Sequence, residues 1–106
     1  MVLGLDYNGV ISERREQYKK LAEFFLNSGG RVFVISHWSP PRTKEDFDKT
    51  LGDFPCTDAF INTEEEKAPQ WKANLCEHLG VDIFIDDKII ILSEINKKGI
   101  LTLVAT

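Results

Sequence analysis

The sequence predicts a doubly wound α/β fold, a single parallel sheet with helices on both faces. Three observations carry this. Short apolar runs recur along the chain without polar alternation, as expected of strands buried on both faces. Between them lie segments whose apolar residues return at helical spacing. The runs then stop abruptly at polar residues, as strands do where they feed the loops at one edge of a parallel sheet.

Val2 to Asp6 reads as the first strand, cut short by the turn-forming Asn8-Gly9. From Glu13 to Ser28 the residues Tyr18, Leu21, Ala22, Phe25 and Leu26 mark one helical face, with Ser12 as N-cap and Gly29-Gly30 as the stop. Val32 to Ile35 is the second strand, ended by Ser36-His37 and broken by Pro40-Pro41. Thr43 and Asp46 have the spacing of a capping box, which starts a short helix carrying Phe47 and Leu51 before Gly52. Ala59 to Ile61 is a third, weaker strand. Ala68 to Leu79 is a helix with Pro69 in its first turn, Trp71, Leu75 and Leu79 on one face, and Gly80 as its stop. Val81 to Ile85 is a fourth strand closed by Asp86-Asp87, and Ile100 to Val104 a fifth. The segment from Ile89 to Lys98 reads as a helix, although its Ile-rich start also has strand character.

With 106 residues, 42% of them hydrophobic and 28% charged, the chain suits one domain with one core. No internal repeat, low-complexity tract or linker marks a second domain. A net charge of −4 with no basic stretch does not support nucleic-acid binding. The apolar stretches are too short for a membrane span and the N-terminus lacks a signal-peptide layout, so a soluble cytoplasmic protein is expected. Cys56 and Cys76 form no C-x-x-C pattern and read as free thiols of a reducing compartment. The run Glu64-Glu65-Glu66 reads as a solvated approach to the helix that follows.

Ligands of open parallel sheets bind outside the carboxyl ends of the strands. Asp6, Ser36 and the Asp86-Asp87 pair each close a strand and converge on one crevice, and Lys67 stands at the start of a helix opening on the same side. These residues resemble the motifs of the haloacid dehalogenase superfamily, mostly phosphatases and phosphotransferases that work through an aspartyl intermediate. The strand followed by D-x-D-x-[TV] is similar to Leu3-Gly4-Leu5-Asp6-Tyr7-Asn8-Gly9-Val10, and the strand ending in Ser or Thr to Val32-Phe33-Val34-Ile35-Ser36. Lys67 matches the basic residue at a helix start, and Phe84-Ile85-Asp86-Asp87 the strand ending in an acidic pair. The resemblance covers essentially the whole chain.

The resemblance implies that Asp6 is nucleophile and metal ligand, that residue 8 offers the metal a backbone carbonyl, and that Asp86 ligates directly while Asp87 ligates or holds a bound water. Ser36 would donate to a phosphoryl oxygen, Lys67 would neutralise charge between nucleophile and phosphate, and the Gly9 N–H would join an anion cradle. Lys72 and Lys44 are alternatives to Lys67. A phosphoryl group beside Asp6, Asp86 and Asp87 would be repelled unless a cation intervened, and Mg²⁺ suits a carboxylate site that keeps positions for water and phosphate.

The pattern is broken at Asn8, where phosphatases of this type carry the Asp that acts as general acid and base. Three readings follow: a slow or specialised phosphohydrolase, a phosphate-binding domain without catalysis, or a member with another acid, for which His37 is nearest in sequence. His37 and Trp38 read either as a loop histidine with a packing tryptophan or as a substrate-facing loop. The spans from Asp6 to Ser36 and from Ser36 to Lys67 leave no room for a cap domain. By resemblance this is a capless member with an open site, which implies a phosphorylated substrate that can be large, as for other capless members of the superfamily, or a partner that excludes water.

Overall fold

Alternate residues of each strand sort onto two faces. Leu3, Leu5, Val32, Val34, Ala59, Ile61, Ile83 and Ile85 face one apolar cluster. Val2, Phe33, Ile35, Phe60 and Phe84 face the other. That two-sided burial is the physical reason for unbroken apolar strands. The computed structural model, which describes residues 1–64 and 67–106, accordingly has a five-stranded, all-parallel sheet. Glu65 and Glu66, part of the acidic run, lie outside the described residues.

The elements in chain order are β1 (Val2–Leu5), α1 (Arg15–Asn27), β2 (Arg31–His37), α2 (Lys44–Leu51), β3 (Asp58–Asn62), α3 (Ala68–Leu79), β4 (Ile83–Asp86), α4 (Ile89–Asn96) and β5 (Leu101–Val104). Helices α1 and α2 supply residues to the first cluster, α3 and α4 to the second. The sheet order is β3-β2-β1-β4-β5. The chain therefore winds outward from β1 through β2 to β3, recrosses along α3, and winds outward again through β4 to β5. Between β1 and β2 there is room only for a turn and α1, and between β2 and β3 only for α2. None of these described connections forms a covering domain.

Several ends differ from the expected ones for local reasons. The first helix starts at Arg15 and its cap position, Arg14, makes no side-chain capping bond. Ser12 is drawn away from that role, because its Oγ accepts the Gly9 N–H at 2.9 Å. β2 runs on through Ser36 and His37, which pair with Ile61 and Asn62 of a β3 that is also longer than its apolar centre. Val81 and Asp82 stand before β4, where the Asp82 carboxylate accepts the Val2 N–H at 2.8 Å and the Asp82 N–H donates to the Val2 carbonyl at 2.8 Å. The Thr43–Asp46 capping box is present in both directions. The Ile-rich segment is helix: α4 buries Ile91, Leu92 and Ile95 and leaves Ile89 and Ile90 outside.

Gly4 is fixed by packing rather than by backbone freedom. It is paired with Phe84 in the β1–β4 register, and a Cβ at this position would run into the Phe84 ring. Phe84 is fully buried, so the ring has no free direction in which to yield. Gly4→Ala is expected to destabilise the fold by about 1–3 kcal/mol through overpacking, read as a lower urea midpoint at unchanged slope. A stability equal to wild type would show that the β1–β4 contact is looser than described.

Candidate functional site

The ends of β1 and β4 lie side by side at the point where the winding reverses, the place where open α/β sheets bind ligands. Asp6 follows β1 directly, and its N–H donates to the Ile85 carbonyl at 3.1 Å, which carries the ladder one residue past the strand. Asp86 ends β4. Its Oδ1 accepts the Lys88 N–H at 3.1 Å, which sets the carboxylate plane. Asp6 is 5% exposed and Asp86 not at all.

Two carboxylates at such depth require a cation, and α3 provides it. Ala68, Lys72 and Cys76 recur every fourth residue on the buried stripe of this helix. Lys72 is therefore carried into the crevice, 2% exposed, with Nζ donating to Asp6 Oδ1 at 3.1 Å and to Asp86 Oδ2 at 2.9 Å. The ammonium also lies 5.8 Å from the centre of the Phe84 ring. Burial alone would lower the Lys72 pKa, but Asp6 and Asp86 outweigh it and the net direction is upward. Burial pushes the Asp86 carboxyl above its ordinary range; Lys72 opposes this and Asp6 adds to it.

Lys72 thus occupies the position expected of Lys67. Lys67 is the residue before the first turn of α3, its side chain is exposed, and its Nζ pairs with Glu64 at 2.8 Å. Lys44, the other alternative, pairs with Asp48 on the surface of α2. The signal available in the sequence was the helical phase: a lysine four residues after Ala68 and four before Cys76 falls on the apolar stripe.

The Tyr7–Ile11 turn fixes the rim. Tyr7, Val10 and Ile11 are buried, so Asn8 and Gly9 are held outward. Gly9 has φ 82°, and a Cβ there would collide with the Asp87 carboxylate, so glycine is required on both counts. Its N–H, expected in an anion cradle, is engaged by Ser12 Oγ. Asp87 is exposed; partial burial and the neighbouring Asp86 raise its pKa. Asp6, Asp86 and Asp87 each bring one carboxylate oxygen within 4.8 Å of the others. An all-oxygen donor set suits Mg²⁺, Ca²⁺ or Mn²⁺ better than a soft or imidazole-seeking ion.

Beside these groups lies a cavity of about 480 Å³, within the range of small-molecule sites. Asp6, Asn8, Gly9, Lys72 and Asp87 line it, as do His37, Ser39, Arg42 and Lys88. Ser36 does not: it is fully buried in β2, and its hydroxyl donates to the His37 carbonyl at 3.3 Å. The His37 Nε2 lies 3.1 Å from Ser39 Oγ, while its buried Nδ1 has no partner among the described residues. Trp38 turns away from the cavity into an aromatic cluster with Tyr7 and Phe47, at 6.0 and 5.1 Å between ring centres. Of the anticipated substrate loop, His37 faces the cavity and Trp38 supports it from behind. Arg42 was not anticipated, because nothing in its immediate sequence distinguishes it from a surface arginine.

No family model and no curated protein matches the chain. Among solved structures, an uncharacterized protein from Corynebacterium glutamicum ATCC 13032 Kitasato is similar, with a TM-score of 0.74 and 13% identity over 99% of this chain and 84% of that one. The likeness is one of fold. No helix among the described residues is long and apolar enough to cross a membrane.

The buried contact of Lys72 with Asp6 and Asp86 makes the stability of the fold depend on pH. Lys72, with its raised pKa, contributes stability that is complete below its ordinary value and lost as pH rises through the folded value. Asp86, also raised, contributes stability below its ordinary value that is lost as pH climbs through its folded one. Lys72→Met leaves two buried carboxylates unpaired and is expected to cost about 3–5 kcal/mol at pH 7. The deficit should shrink on acidification, as the carboxyl takes up a proton. Lys67→Ala, at an exposed ion pair, should cost less than about 1 kcal/mol. Urea unfolding of both variants at two pH values checks this; a pH-independent deficit in Lys72→Met would contradict the pairing.

Proposed function

We propose that the chain is a Mg²⁺-dependent phosphohydrolase or phosphotransferase of the haloacid dehalogenase type, with Asp6 as nucleophile and Lys72 in the role that the resemblance gave to Lys67. The observation that supports this most is the Lys72 ammonium shared by Asp6 and Asp86 at the switch-point crevice. A lysine so placed aims the Asp6 carboxylate and offsets the charge of an incoming phosphate. Asp6, Asp86 and Asp87 would hold the metal, which when bound supplies charge neutralisation for phosphoryl oxygens.

In this reading a carboxylate oxygen of Asp6 attacks phosphorus, the P–O bond to the leaving group breaks, and the leaving oxygen departs with the bonding pair and takes up a proton. Water then attacks the aspartyl phosphate, giving inorganic phosphate and restoring Asp6. Asn8 lines the cavity but its amide neither gives nor takes a proton. The missing general acid-base help is worth about 10²- to 10⁴-fold, or roughly 3 to 5 kcal/mol of barrier. Leaving groups that need little protonation should therefore fare best. His37, on the same cavity wall, is the candidate for a replacement acid. Asn8 equally favours a second reading, a domain that binds phosphate or a phosphorylated partner without turning it over. The uncovered cavity suits a phosphoryl group carried on a large substrate, and two free thiols suit a cytoplasmic setting.

Mg²⁺ should raise the melting temperature of the wild type, and Asp86→Ala should remove that shift. Asp6→Asn should abolish turnover of an aryl phosphate. Asn8→Asp, assayed at saturating Mg²⁺, should improve alkyl phosphate hydrolysis more than aryl. No gain in either class, with Mg²⁺ still bound, would favour the binding-only reading, whereas an equal gain in both would show that protonation of the leaving group is not what Asn8 limits.

A further inference from the structure

The cavity that holds the carboxylates on its floor has a cationic wall that the phosphoryl chemistry above does not use. Because β2 and β4 flank β1 on opposite sides, Asp86, Asp87 and Lys88 approach Asp6 from one side and the segment leaving β2 from the other. Arg42 belongs to that second side. Its guanidinium carbon lies 4.1 Å from the centre of the Trp38 ring, and its Nε donates to the Ser39 carbonyl at 3.5 Å.

Trp38 is a rigid platform: it is 3% exposed and meets Tyr7 and Phe47 edge-on, with interplanar angles of 77° and 76°. A guanidinium held over the face of a buried indole is restrained and loses less freedom when it binds an oxyanion. Among the described residues no carboxylate lies within ion-pairing distance of Arg42, whereas Lys44 and Lys49 of the adjoining helix are paired with Asp48 and Glu45. Its terminal amino groups make no hydrogen bond within the described residues. Lys88, also on the cavity wall, has no ion pair there either. A restrained, unspent fork in a cavity larger than a phosphoryl group needs is an oxyanion receptor.

We propose that Arg42, held on Trp38, determines specificity for substrates that carry a second anionic group, a carboxylate or a second phosphate, beyond the phosphoryl group at Asp6. This rests on the phosphoryl-site reading above. Lys72 already serves the Asp6 end, so the β2 side receives the remainder of the ester.

The test compares non-hydrolysable ligands of matched length at saturating Mg²⁺ by calorimetry: propylphosphonate with one anion, 3-phosphonopropionate with a carboxylate, and propane-1,3-bisphosphonate with a second phosphoryl group. Wild type should bind at least one two-anion ligand about ten-fold or more tightly than propylphosphonate, the scale of one charge-assisted hydrogen bond. Which ligand is preferred identifies the second group. Arg42→Ala should remove the preference while leaving the affinity for propylphosphonate unchanged, and Arg42→Lys should keep part of it. Equal affinity of wild type for all three overturns the proposal. So does an Arg42→Ala that weakens propylphosphonate as much as the others, which would assign Arg42 to the phosphoryl group and leave the site reading standing. Failure of every ligand to bind would overturn the site reading itself, and the proposal with it.

Discussion

The ammonium of Lys72 between Asp6 and Asp86 is the contact on which the arrangement depends. It ties the ends of two strands to a helix on one face of the sheet, and it does so where burial makes isolated charge expensive. Buried ion pairs seldom repay their desolvation in stability, so a hydrophobic trio would hold the fold as well or better. What the trio provides instead is a pair of carboxylates oriented by one ammonium, at the place where the sheet topology opens a crevice. Gly4 contributes from below: by leaving room for Phe84 it lets the ring lie under the Lys72 ammonium.

The rim follows from a division of labour in the Tyr7–Ile11 turn. Its apolar residues are committed to the core, and Tyr7 packs against Trp38 and Phe47. That commitment forces Asn8 and Gly9 to the surface and brings Gly9 against Asp87. The same aromatic cluster that anchors the turn also carries Arg42. Acidic floor and cationic wall are thereby built on one packed unit, so a substitution in Trp38 or Phe47 would disturb both.

Most of the fold was legible in the sequence because it follows from periodicity. Two-sided burial made the strands unbroken apolar runs, the helices showed their stripes, and the Thr43–Asp46 box was read from spacing alone. Strand-end carboxylates were legible for the same reason, since a charge that closes an apolar run has few places to go. Lys67 has the motif position, but the phase of Ala68, Lys72 and Cys76 puts Lys72, the alternative five residues on, between Asp6 and Asp86. Ser12 does not cap the first helix, and the Gly9 N–H and the Ser36 hydroxyl each make a local hydrogen bond that no period announces. Arg42 was invisible for a related reason, as its role depends on a tryptophan from the preceding strand end folding beneath it.

Whether Asp6 is a nucleophile poised beside a divalent cation is tested most directly by fluorine NMR with beryllofluoride, a mimic of the aspartyl phosphate. The account predicts bound fluoride resonances that require Mg²⁺, persist in Lys67→Ala, and vanish in Asp6→Ala. Resonances that survive the loss of Asp6, or none in a wild-type protein shown to bind Mg²⁺, would contradict it.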